Sequence, residues 1–426
     1  MKRVLGAVLL TLCLVTAGRA TPLILSRGVG VHEWLNWSPL ETDGSYRWPP
    51  YRTQQEWRSG SRPLSDWPDG NEFRRIRSMG FDFVRLSVDP GPLLASSGPR
   101  REQALDILEA AVRQVTDADL KVVFNLHSVS QVPAYDITML YDGADSPGVA
   151  HYREMVKAVA GMLARVGSGA VALEPYNEPA FYPCDRTGTE DWQRIMAATV
   201  ADIRAVSADL TIIATGACGG SITGLTDLDP DFDDPSIYYS FHMYEPHSFT
   251  HQRPDDPSTF SSGLPWPAAS GSPDKVIENL KAHMRAAGLN GIRQAVVVAG
   301  MRKAIRNYFT ESWGLPQMQA RLGEAVDWAK AHQIPPDRLF MGEFGVILLT
   351  DDGRSGAYDI DRLRYMAALR QEADRLHIPW SVWEYSNPYG MSLILPNGPA
   401  IADQALLKVL GLGTPASSVP NQHADR

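Results

Sequence analysis

Cysteine is scarce in this chain, with three among 426 residues. So few exclude a disulfide scaffold. They also exclude a thiol-based zinc centre, because no cysteine pair here has the neighbouring histidines needed to complete a ligand set. A basic excess is lacking too. Formal net charge is −9, with 40 Lys and Arg against 49 Asp and Glu, and a nucleic-acid partner calls for a basic patch. No block of like charges marks an interaction tail. There is no internal repeat, and no Ser/Pro/Thr linker leads to a separate binding module. Beyond the N-terminus, no apolar run reaches the ~20 residues that span a bilayer.

What is present begins with a leader. Lys2 and Arg3 form a positive n-region, Val4 to Val15 an apolar h-region, and Gly18-Arg19-Ala20 supplies small residues for cleavage. The pattern predicts a secretory signal over residues 1–20, cut after Ala20, and a secreted or periplasmic protein. The apolar run is too short for an anchor, and bulky Leu12 before Cys13 argues against lipid attachment. Cleavage removes Lys2, Arg3 and Arg19 and no acid, so the mature chain is more acidic still. Residues 21–413 read as one domain, and 414–426 as a polar, disordered tail.

A hydrophobic fraction of 44% supplies a full core, and strand-like runs alternate with helical patterns. That alternation predicts βαβ units and a parallel sheet. Strands are expected at Gly28–His32, Phe81–Leu86, Lys121–Leu126, Ala170–Tyr176, Thr211–Thr215, Ser236–His242, Leu339–Gly342 and Trp380–Trp383. Eight such units make an α/β fold, a (β/α)8 TIM barrel, with long loops after strands 1, 3 and 6 on the catalytic face. Gln294–Ala299 reads either as an apolar strand or as the middle of a helix continuing through Arg306. The loop 34–67 carries Trp34, Trp37, Tyr46, Trp48, Tyr51, Trp57 and Trp67. Most of these rings are expected to pack the loop onto the barrel, with one or two left as flat platforms for sugar faces. Cys184 and Cys218 fall in loops after neighbouring strands, so a bridge and two free thiols both stay open.

In a β/α barrel, chemistry gathers at the C-terminal ends of the strands. Leu173-Glu174-Pro175-Tyr176-Asn177-Glu178-Pro179 and Phe340-Met341-Gly342-Glu343-Phe344-Gly345 each run a strand into a carboxylate there. Two glutamates on different strands can face each other across a bound sugar, one as acid/base and one as nucleophile. Glu178 suits the acid, kept protonated by a second carboxylate nearby. Asn177 suits a hydrogen bond to the sugar 2-hydroxyl. Glu343 suits the nucleophile, with Arg85 at the end of strand 2 as its cation and Tyr244 as a phenol donor. Glu174, four residues before Glu178, lies one layer deeper and reads as a structural carboxylate paired with a buried donor. His127 and His242 end strands 3 and 6 and suit sugar hydroxyls better than a metal, because their strands lie apart and neither has a ligand at i+2 or i+4. Trp383 suits the floor under the sugar in the −1 subsite.

The ordered set Arg85, Leu126-His127, Asn177-Glu178-Pro179, His242-x-Tyr244, Glu343 and Trp383 resembles glycoside hydrolase family 5, in the clan of retaining β/α-barrel glycosidases. The likeness covers most of residues 25–412. Strand 3 ends here in His127-Ser128 where the family often has a His-His pair. The resemblance implies an exported, retaining β-glycoside hydrolase, an endo-acting β-1,4-glucanase with no cofactor and no metal. It implies catalysis by Glu178 and Glu343, and sugar binding by Arg85, His127, Asn177, His242, Tyr244 and Trp383. The expected partner is a β-linked polysaccharide or oligosaccharide, with no nucleic acid and no membrane, and the protein is expected to be a monomer. A β-mannanase, an exo-acting β-glucosidase and an exopolysaccharide-trimming hydrolase are the alternatives among enzymes. A non-catalytic carbohydrate-binding barrel is the alternative outside them, though it has no need for paired acids.

Overall fold

The computed structural model describes residues 22–59, 71–180, 190–232, 234–254, 256, 259–387, 390–395 and 401–413. The leader, Trp67, Cys184 and the C-terminal tail lie outside these. Eight parallel strands close a barrel in which each is bonded to its neighbours in chain order. They are β1 (Arg27–Leu35), β2 (Phe83–Val88), β3 (Lys121–Leu126), β4 (Val171–Glu174), β5 (Thr211–Thr215), β6 (Ile237–His242), β7 (Leu339–Glu343) and β8 (Trp380–Val382). The (β/α)8 architecture expected from the alternation is the one observed, with β3 and β5 at the predicted bounds. β2 starts at Phe83 rather than Phe81, because pairing with both neighbouring strands begins at Phe83.

Side chains alternate along a strand, so every second residue enters the barrel. The lowest layer is apolar: Phe83, Val123, Ala172, Ile213, Tyr238 and Phe340 cluster with Leu23 and Leu25 from the segment before β1. Tyr238 donates its hydroxyl to the Leu23 carbonyl at 2.8 Å, closing the N-terminal mouth. Gly28 makes room for this plug, since a Cβ there would stand 2.1 Å from the Phe83 ring. Two residues further along the strands the interior turns polar, with Arg85, Asn125, Glu174 and Ser240 all buried.

The helices cover the outside. The helix Pro147–Val166 shows how the sequence sets one up: Ser146 accepts from the Val149 amide, Pro147 occupies the first turn, and Val149, Tyr152, Met155, Val156, Val159 and Leu163 face the barrel. The segment around Gln294–Ala299 is part of one helix, Gly291–Glu311. Val298 is 4% exposed and Val296 is 65% exposed. One face of a helix, not alternate residues of a strand, is therefore buried. Together with Pro273–Ala286 and Leu315–Ala331 it forms the long excursion between β6 and β7. Among the described residues, no helix is long and apolar enough to cross a membrane.

Candidate active site

The polar interior layer is organised by Arg85. Its side chain is fully buried and bridges the ends of β4 and β7. Nε donates to Glu174 Oε2 at 2.7 Å and Nη2 to Glu174 Oε1 at 3.0 Å. Nη1 donates to Glu343 Oε1 at 2.6 Å, and Nη2 also donates to Asn177 Oδ1 at 2.7 Å. Burial works against the guanidinium charge, but Glu174 and Glu343 outweigh it and raise its pKa. Glu174 is thus the deep carboxylate paired with a buried donor.

Glu343 ends β7 with 5% of its side chain exposed. It accepts from Arg85 on one oxygen and from the Tyr244 hydroxyl on the other, at 2.9 Å. Burial raises its pKa and the charge of Glu178 adds to this, while His242, Arg85 and Tyr244 pull it back. Glycine at 342 is required by crowding, since a Cβ there would lie 2.9 Å from Ser240 Oγ and 3.1 Å from His242 Nε2.

Glu178 follows β4 and opens toward solvent, with 39% of its side chain exposed. The cleft walls still strip it of enough water to push its pKa up to about 7, against the opposing charges of Arg85 and His247. His242 stands between the two glutamates. Nδ1 is 2.6 Å from Glu178 Oε1 and 3.6 Å from Glu343 Oε2. Nε2 is 3.5 Å from Arg85 Nη2. A guanidinium only donates, so Nε2 is the acceptor and Nδ1–H donates to Glu178. Burial lowers the pKa of His242 and holds it neutral, despite the opposing charge of Glu343. One carboxylate oxygen of each glutamate and a His242 nitrogen lie within 4.8 Å of one another. Such a trio has the donors for a cation, which would have to compete with the guanidinium already seated on Glu343.

Glu178, His242, Tyr244 and Glu343 line a cleft of about 490 Å³ together with His127, Gly219, Ser221, His247, His251 and Trp383. Trp383 stacks on His127, with centroids 5.7 Å apart and planes at 17°. Asn177 Nδ2 lies 3.3 Å from His127 Nε2, and His127 Nδ1 lies 3.0 Å from Asn125 Oδ1. Both ring nitrogens of His127 therefore face asparagines, while the ring itself lines the cleft. His242 likewise meets Glu178 and Arg85. In the Trp-rich loop, Trp34, Tyr51 and Trp57 are buried, whereas Trp37 is 42% exposed. Its indole donates to His32 Nε2 at 3.1 Å.

Two residues, Asn125 and Glu384, were not read from the sequence, and neither was the contact between His247 and His251. Asn125 sits beneath His127, two residues back on the same strand face. Glu384, directly after Trp383, is buried, accepts from the His32 amide at 3.1 Å, and is pushed well above the usual carboxylate range chiefly by burial. His247 and His251 stack with centroids 3.9 Å apart. Burial and His247 push His251 down to about 4. Cys218 is disulfide-bonded, and its partner lies outside the described residues.

An eight-stranded β/α barrel with one glutamate just after β4 and another ending β7 across one cleft, beside a buried arginine, has the architecture of the barrel glycosidases. The chain belongs to the cellulase family, glycosyl hydrolase family 5, whose model matches residues 57–388. It is 28% identical over 393 residues to Endoglucanase 3 of Fibrobacter succinogenes, an alignment covering 92% of this chain and 53% of that protein. It is 24% identical over 196 residues to Cellodextrinase A of Ruminococcus flavefaciens, covering 44% of this chain and 55% of that one. In both cases the match spans about half of the relative's length. Among solved structures, a hyperthermophilic endo-β-1,4-glucanase in complex with substrate superposes with a TM-score of 0.60 at 20% identity, covering 91% of this chain and 97% of the other. At that identity the likeness speaks for the fold.

Proposed function

We propose that this protein is an exported endo-β-1,4-glucanase that hydrolyses its substrate with retention of configuration. The observation that carries the reading is the pairing of Glu178 and Glu343, with one oxygen of each within 4.8 Å. Retaining enzymes hold their carboxyls ~5–5.5 Å apart and inverting ones farther, to admit a water. The environments of the two groups support distinct roles. One guanidinium faces three carboxyls, and Glu178 is the one that does not touch it. With its pKa raised to about 7, Glu178 keeps a proton for the leaving oxygen. His242 Nδ1–H occupies its Oε1, so the transferable proton belongs on Oε2.

In the first step Glu343 attacks the anomeric carbon as the glycosidic C–O bond breaks, and the Glu178 proton goes to the departing oxygen. Arg85 and Tyr244 hold the attacking carboxylate ionised and in line. In the second step Glu178, now a carboxylate, takes a proton from water. That water displaces Glu343 and restores the β configuration. Asn177 supports the transition state through the 2-hydroxyl, and Trp383 forms the floor of the −1 subsite. The relatives named as endoglucanase and cellodextrinase favour a β-1,4-glucan over the other β-glycans. Export is supported by the leader pattern and by the bonded Cys218, since disulfides persist in oxidising compartments.

The test uses an activated aryl β-cellobioside. In Glu178→Ala the leaving group needs no proton, so the glycosyl-enzyme forms and stalls, and azide releases it as a β-glycosyl azide. In Glu343→Ala no covalent intermediate forms, and azide gives only the α-glycosyl azide. Reversed outcomes swap the roles. Ordinary polysaccharide hydrolysis by both variants refutes the site. N-terminal sequencing of exported protein checks for a start at Thr21.

A further inference from the structure

We propose that Asn125, which lies below the cleft, is a positioning residue: acting through His127, it fixes the amide of Asn177 so that one N–H is left for the substrate. The inference rests on the glycosidase reading above and deepens it. Proton positions along the chain Arg85–Asn177–His127–Asn125 follow from its first member. A guanidinium can only donate, so the Asn177 atom 2.7 Å from Arg85 Nη2 is the carbonyl oxygen. The amide nitrogen of Asn177 therefore faces His127 Nε2 at 3.3 Å. That ring nitrogen must carry a lone pair, so the imidazole proton sits on Nδ1. The Asn125 atom 3.0 Å from Nδ1 is then an acceptor, Oδ1. Reversing any link sets donor against donor.

Burial, with the charges of His32 and Arg85 among its causes, holds the His127 pKa well below its ordinary value. His32, at 4.6 Å, and Trp383, at 5.7 Å between centroids, fix the ring plane. Asn177 has two amide protons, and His127 engages one. On this reading the other is left for the substrate 2-hydroxyl.

Asn125 is a poor choice for stability alone. It is 0% exposed, and its Nδ2 meets no acceptor among the described residues. A buried amide left half-satisfied is a cost to the fold. Leucine has nearly the same shape and no such cost. The asparagine makes sense if its oxygen is needed to hold the His127 proton on Nδ1. With leucine there, the proton is free to move to Nε2, where it opposes the Asn177 amide.

The experiment compares wild type, Asn125→Leu, Asn177→Ala and the double variant on an aryl β-cellobioside and on its analogue lacking the 2-hydroxyl of the −1 ring. Asn125→Leu is expected to remain folded, because the unpaired Asn125 Nδ2 it removes offsets the hydrogen bond lost to His127. Its kcat/KM on the parent substrate should fall by about 10- to 100-fold, with much less change on the 2-deoxy analogue. The double variant should be no worse than Asn177→Ala. Equal losses on both substrates would reveal a merely structural role and overturn the proposal, as would no loss on either or losses that add. Nitrogen-15 NMR of the His127 ring gives a readout independent of turnover: Nδ1–H is expected in wild type, and an Nε2–H tautomer there overturns the proposal. A wild type that hydrolyses neither substrate refutes the glycosidase reading instead, and the NMR result still decides the proton chain.

Discussion

Replacing Arg85 by methionine removes the cation that faces Glu174 and Glu343. Both carboxylates stay behind, with side chains 0% and 5% exposed. Losing one partner of a buried pair typically costs about 3–5 kcal/mol, because the remaining charge is neither solvated nor matched. Against a usual stability of ~5–15 kcal/mol, the variant should fold but be marginal at neutral pH. The loss should depend on pH. Burial already raises the Glu343 pKa, and Arg85 is one of the groups holding it down. Without Arg85 the folded-state value climbs further above the unfolded one. A folded protein that binds more protons than its unfolded chain gains stability as pH falls. The extra instability is therefore greatest above the folded pKa and disappears toward the unfolded carboxylate value, near pH ~4.3. Thermal melts at pH 5 and pH 7 should show the gap to wild type narrowing at pH 5. Turnover at pH 7 should fall by at least ~10²–10³, the scale of losing one preorganised donor, because the attacking group is no longer held. A gap of equal size at both pH values, with near-normal turnover, would refute the reasoning.

The alkaline limb of kcat/KM should fall near pH 7, where Glu178 loses its proton, and Glu178→Ala should lack that limb on an activated substrate. Tyr244→Phe removes the 2.9 Å donor to Glu343 and should lower kcat about 10- to 100-fold, as loss of a charged hydrogen bond implies, with little change in melting temperature. Gly28→Ala sets a methyl against the Phe83 ring and should destabilise by about 1–3 kcal/mol in urea titrations, with KM unchanged because the plug lies far below the cleft.

Much of the site was legible because strand ends are legible. Asn177-Glu178 and Gly342-Glu343 each follow an apolar run, and a barrel gathers such ends on one face. The depth of Glu174 followed from the two-residue period. Partners across the barrel were harder to read. His127 and His242 are recognisable as polar residues at strand ends, but what their nitrogens meet depends on residues 50 and 64 positions away in the chain. Asn125 reads as one polar residue in Val122-Val123-Phe124-Asn125-Leu126, and its role appears only once Arg85 fixes the direction of every donor. The helix Gly291–Glu311 was ambiguous for a local reason. Val296, Val297 and Val298 are all β-branched, and their preference suits a strand. The burial of Val298, Ile305 and Tyr308 on one face decides the matter.

The Arg85 side chain joins Glu174, 89 positions along the chain, and Glu343, 258 positions along. The first contact can form once half of the polypeptide has been made. The second must wait until β7 has been made, when most of the chain is in place. The contact between Arg85 and Glu343 therefore depends on closure of the barrel. The proposed catalytic pair is thus complete only in a closed barrel. Recovery of activity during refolding should follow the slowest closure step, behind the rise of helical signal.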